Sequence, residues 1–98
     1  MTAEEYLIQN QDSIAQECRN IRNGDAKAII TVKDNDTSYI HQISTVEEFT
    51  SAMPDTKFFE TMRKGITNAV LNKVIPVVIF EEQKARITTL PDAFKLDE

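Results

Sequence analysis

The chain has 98 residues, 41% of them hydrophobic and 28% charged, with eleven Lys plus Arg against sixteen Asp plus Glu and a net charge of −5. That size and mixture describe one globular α+β domain over 1–98 rather than a disordered tail. The sign of the charge disfavours nucleic acid and anionic membrane and favours a basic partner. A single cysteine, Cys18, excludes an intrachain disulfide and a cysteine-based zinc site, and two glycines, Gly24 and Gly65, exclude glycine-rich phosphate loops.

Residues 3–22 read as one amphipathic helix with Leu7, Ile14, Cys18 and Ile21 on a single face. Thr2 and Glu5 have capping-box spacing, and Gly24 is placed to cap the other end. From Ala26 the period becomes two. Ala28, Ile30 and Val32 alternate with Lys27, Ile29, Thr31 and Lys33, the pattern of a half-buried strand. The polar run Asp34-Asn35-Asp36-Thr37 turns the chain into a second strand over 38–43, so the two form an antiparallel hairpin.

A short helix begins at Ser44 or Thr45, with Ser44 and Glu47 at capping-box spacing, and Pro54 interrupts it. A longer helix, capped by Asp55 or Thr56, runs to about Asn72 with Phe59, Met62, Ile66, Ala69 and Val70 on its apolar face. Gly65 in its middle marks either a bend or a close contact. Residues 74–82 are an almost unbroken aliphatic strand and 86–90 its hairpin partner, followed by a tail over 91–98 that can dock on the body. The expected order is α-β-β-α(α)-β-β, a candidate duplication of an α-β-β unit. The expected sheet is four-stranded and antiparallel, made of two hairpins, with helices mainly on one face.

Such a sheet exposes its other face. Ile75, Val77, Val78, Ile79 and Phe80, extended by Ile29 and Ile40, are then the candidate interface of a homodimer. The competing arrangement covers one face with the first helix and the other with the second and third.

No spacing brings reactive groups together. Asp34 and Asp36 imitate a phosphotransfer or calcium motif but lack the glycine and the crossover helix that either requires. His41, the sole histidine, has no carboxylate placed beside it by spacing and reads as a half-exposed strand residue near Tyr39; Cys18 reads as a buried apolar group. Lys57, Arg63, Lys64 and Lys73 read as a solvated face. No catalytic residue, metal ligand or cofactor is expected.

The acidity lies in the N-terminal half, where Glu4, Glu5, Asp12, Glu17, Asp34, Asp36, Glu47 and Glu48 form the candidate binding surface. The reading is a small non-enzymatic protein-binding module, a regulator or inhibitor of a basic partner such as a nucleic-acid-binding protein or a toxin. A homo-oligomeric assembly subunit is the alternative, and a small-ligand sensor a weaker one. The beginning of the chain lacks a basic-then-apolar leader and no segment is long enough to span a bilayer, so a cytoplasmic location is expected.

Overall fold

A computed structural model describes residues 1–21, 27–35, 38–82 and 84–90. The elements are α1 (Ala3–Gln9), α2 (Gln11–Ile21), β1 (Ala28–Asn35), β2 (Ser38–Thr45), α3 (Val46–Ala52), α4 (Lys57–Leu71), β3 (Pro76–Glu81) and β4 (Lys84–Thr89). Gly24, Asp36 and the 91–98 tail lie outside the described residues.

Thr2 caps α1 reciprocally with Glu5, as its spacing predicts. The expected single helix is divided at Asn10, whose side-chain amide donates to the Tyr6 carbonyl at 2.9 Å, an alternative to the regular ladder that short polar side chains offer. Of the two expected starts of the next helix it is Thr45 that caps α3, closing its capping box with Glu48 rather than Ser44 with Glu47. Thr56 caps α4. That helix ends in a Schellman turn, with Lys73 in the left-handed region (φ 61°), Lys73 N–H donating to Val70 and Val74 N–H to Ala69.

The sheet order is β2-β1-β3-β4. Both hairpins are present, but the expectation of a wholly antiparallel sheet needs correcting: β1 and β3 run parallel at its centre, with Ile30 opposite Val77 and Val32 opposite Ile79. The cause is the passage through α3 and α4, which carries the chain back to the end of the sheet where β1 began. Both faces are covered, so the expectation of helices mainly on one face is also corrected. On one face Leu7, Ile14 and Cys18 of α1 and α2 pack against Ile30, Val32, Val77 and Ile79. On the other, Met62 and Ile66 of α4 meet Ile29 and Val78, flanked by Val46 and Phe49 of α3. Neighbours on a strand point to opposite faces, so two apolar residues in succession, as at Ile29-Ile30 and Val77-Val78, mean two covering layers.

Gly65 is a packing contact rather than a bend. A Cβ there would lie 3.2 Å from Ile87 Cδ1, tighter than an ordinary contact, so α4 and β4 approach each other closely at this glycine.

This topology has the symmetry of two α-α-β-β halves related by an axis in the sheet plane between β1 and β3. Rotation about it keeps strand direction and exchanges the helical layers. Thr2-Ala3-Glu4-Glu5-Tyr6 then corresponds to Thr45-Val46-Glu47-Glu48-Phe49, each opening its half with the same capping box. Ile14 and Cys18 stand to Ile29 and Ile30 as Met62 and Ile66 stand to Val77 and Val78. The repeat expected from element order is an α-α-β-β unit in the folded chain.

Candidate functional site

Where α1 and α2 cross β2, three polar side chains replace apolar packing. The His41 ring, its side chain only 15% exposed, has Nδ1 2.8 Å from the Tyr6 hydroxyl and Nε2 3.0 Å from a Glu17 carboxylate oxygen. Glu17 also accepts from Ser13. In the neutral ring the carboxylate selects the tautomer: Nε2–H donates to Glu17, and bare Nδ1 accepts the Tyr6 hydroxyl proton. Burial, then the Glu17 charge, raises the Tyr6 pKa above its ordinary 10.0. The phenol therefore holds its proton at neutral pH, and the row Tyr6-His41-Glu17 joins both helices to β2.

A second row begins beside it. The Tyr6 and Tyr39 rings lie 5.9 Å apart at centroids, and the Tyr39 hydroxyl donates to Glu81. Arg86 donates through Nε to Glu81 at 3.2 Å and bidentately to Glu4 at 2.8 and 3.1 Å. That fork links β4 to α1. It holds the Glu4 carboxyl below its ordinary 4.5, chiefly through the Arg86 hydrogen bond, and raises the guanidinium still further.

Spacing gives His41 no carboxylate neighbour, but the fold brings Glu17 to it from 24 residues away. The signal lies in the repeat. Tyr6, Glu17 and His41 correspond to Phe49, Gly65 and Ala85 in the second half, where Ile87 packs directly on Gly65. One half is filled with hydrocarbon at a place where the other holds a hydrogen-bonded triplet. Among the described residues, no three His, Cys, Asp or Glu side chains converge as metal ligands would.

The candidate acidic residues do not form one cluster. Glu4 is held by Arg86 and Glu17 by His41, while Glu5 and Glu48 close their capping boxes, bonds that lower both carboxyl pKa values. Asp12, Asp34 and Glu47 are exposed at the first turn of α2, the end of β1 and the first turn of α3. The candidate interface residues are mostly interior: Ile29, Val77, Val78 and Ile79 are 0% exposed under this chain's own helices. Ile75 and Phe80 are partly buried against the two cores, and only Ile40 projects, 50% exposed. The apolar sheet face envisaged for a homodimer is therefore covered. Of the cationic row, Arg63 donates to the Met53 carbonyl and lies near Asp55, and Lys64 pairs with Glu60.

The Glu4–Arg86 fork predicts a pH dependence. A carboxyl whose folded pKa is depressed stabilises the fold above its unfolded pKa, and that contribution disappears as pH falls through the folded value. Arg86→Ala should cost about 0.5–1 kcal/mol near pH 7, because both side chains are more than a third exposed. The difference from wild type should shrink as pH drops below about 4.5, which urea denaturation at a series of pH values would measure. A gap that stays constant into acid would mean the fork does not act through the carboxylate.

No helix among the described residues is long and apolar enough to cross a membrane. Compared with known protein families, characterised proteins and solved structures, the chain matches none.

Proposed function

We propose that the chain is a small non-enzymatic protein-binding module that engages a basic partner through its α1–α2 layer, acting as a regulator or inhibitor. One observation carries the reading: the charge differs between the two helical layers. Residues 1–21 carry Glu4, Glu5, Asp12 and Glu17 against Arg19. Residues 46–73 carry Glu47, Glu48, Asp55 and Glu60 against Lys57, Arg63, Lys64 and Lys73. Because the layers cover opposite sheet faces, the negative field is one-sided, and one-sided fields steer association and fix orientation.

A cationic surface that otherwise holds phosphates, as on a nucleic-acid-binding protein or a toxin, has the complementary chemistry. Arg86 takes up the charge of Glu4, so the excess on this layer rests on Glu5, Asp12 and Glu17 against Arg19, with Glu17 held in place by His41 before a partner arrives.

Affinity capture from the native source, compared among wild type, Asp12→Lys and Lys64→Glu, tests this. One protein should be captured by wild type and by Lys64→Glu, and lost with Asp12→Lys or in high salt. Capture indifferent to both Asp12→Lys and salt would overturn the reading.

A further inference from the structure

β1, β3 and β4 each show either two paired sides or charged residues on an open edge; β2 shows neither. It is an outer strand of eight residues, Ser38-Tyr39-Ile40-His41-Gln42-Ile43-Ser44-Thr45, containing no Lys, Arg, Asp, Glu or Pro. The opposite edge, β4, carries Lys84 and Arg86. Charges and prolines are what normally keep an edge strand from pairing with another chain, so among the described residues one edge of this sheet is guarded and the other is open.

The hydrogen-bond pattern says which groups are on offer. Val46 N–H donates to the Lys27 carbonyl at 2.8 Å, in line with the β1–β2 register. Alternation along an antiparallel pair then turns the backbone groups of Ser44, Gln42, Ile40 and Ser38 toward β1, and those of Tyr39, His41 and Ile43 outward.

We infer that the chain forms a two-fold dimer in which β2 pairs antiparallel with β2 of a second copy, centred on His41. A two-fold perpendicular to the sheet places His41 opposite His41, Tyr39 opposite Ile43, Ile40 opposite Gln42 and Ser38 opposite Ser44. These are residues of like parity, and the outward-facing backbone groups meet each other. Ser-Tyr-Ile-His-Gln-Ile-Ser reads nearly the same from either end, so each apolar or polar side chain finds a neutral partner.

Charge selects a second copy as the occupant. Two chains of net charge −5 repel, and a strand that itself carries no carboxylate or ammonium side chain is where they can meet. Self-pairing of β4 would instead set Lys84 and Arg86 against their own kind. The strand is also already ordered, because Tyr39 and His41 are anchored by Glu81, Tyr6 and Glu17 from the α1–α2 side. The open side carries Ile40 and Gln42, both exposed, and joining two copies shields Ile40 beside Gln42 of the second copy. This interface uses an edge rather than the covered sheet face; of the α1–α2 carboxylates of the proposed function, Glu17 lies beside it through its bond to His41, while Glu5 and Asp12 are not on the strand.

Sedimentation equilibrium on three proteins tests the pairing and its register. Wild type should be dimeric at micromolar concentration. Ile40→Lys/Gln42→Lys puts ammonium groups opposite each other at both Ile40–Gln42 contacts and should weaken association on the order of tenfold or more. Ile40→Lys/Gln42→Glu puts Lys opposite Glu at the same contacts and should restore the dimer. Both positions are exposed, so circular dichroism should show an unchanged fold in all three. A wild type that stays monomeric at about 100 µM, well above the micromolar range of weak protein pairs, overturns the inference. So does a dimer indifferent to the Lys/Lys change, or a Lys/Glu variant that dissociates as readily as Lys/Lys.

Discussion

Val78→Glu should leave the chain unfolded at 25 °C. Val78 is fully buried on β3, and its side chain belongs to the core in which Met62, Ile66 and Ile29 meet. Among the described residues, no buried polar or charged residue exists to receive a carboxylate. An ionised Glu there would be desolvated without a partner, at a cost of several kcal/mol, and a protonated one still buries a carboxyl with no hydrogen bond. The burial energy of the valine, about 1.5–3 kcal/mol, is lost as well. The sum is comparable with the ~5–15 kcal/mol that stabilises a typical domain. Far-UV circular dichroism and a mass measurement would register it as loss of helix together with aggregation or expansion. A half-covered sheet predicts something different, a folded protein with only its association broken. A folded, monodisperse Val78→Glu would therefore contradict the two-layer architecture.

That contrast shows where the sequence is legible. Local signals carry the individual elements: both hairpins, the capping residues Thr2 and Thr56, and the break at Pro54 occur as spacing and propensity predict. What spacing does not carry is how the two hairpins join. An antiparallel junction and a parallel one satisfy the same strand patterns, and the choice depends on which face the α3–α4 passage crosses. The clue was Ile29 beside Ile30. Read as alternation, Ile29 is an outward-facing exception; read with the aliphatic run of β3, it is a second buried face.

The site is less legible than the fold for a similar reason. Glu17 reaches His41 only after α2 is laid over β2, and nothing in the order of residues measures that approach. Sequence does hold an indirect trace. Once Tyr6 is aligned with Phe49 through the shared Thr-x-Glu-Glu-aromatic pattern, the hydroxyl of Tyr6 is what one half has and the other lacks. In the other half Ile87 lies directly against Gly65, so the polar triplet is not a requirement of this architecture. It fixes the position of α1 and α2, the layer that carries the excess negative charge. Directional bonds hold that layer in one geometry, whereas the α3–α4 layer rests on hydrocarbon contact.

Truncating two adjacent residues of β1 separates the layers energetically. Ile29→Ala opens a cavity toward Met62 and Ile66; Ile30→Ala opens one toward the core shared by Leu7, Ile14 and Cys18. Each side chain is 0% exposed, and each deletion should cost about 2–5 kcal/mol, the transfer energy of the lost groups plus an incompletely collapsed void. At about 4–8 °C per kcal/mol for a domain of this size, the melting temperature should drop by roughly 8–40 °C in either variant. A sheet covered on one side would make one of the two nearly silent, since an outward isoleucine loses little on truncation. The two side chains face opposite sides of the sheet but share one stretch of backbone, so the double variant should lose more than either single one, and its departure from the sum measures the coupling between the layers. Calorimetry on the three variants reads this directly. A benign Ile29→Ala would mean that α4 does not cover β1, and the parallel β1–β3 centre, which exists because the chain crosses that face, would fall with it.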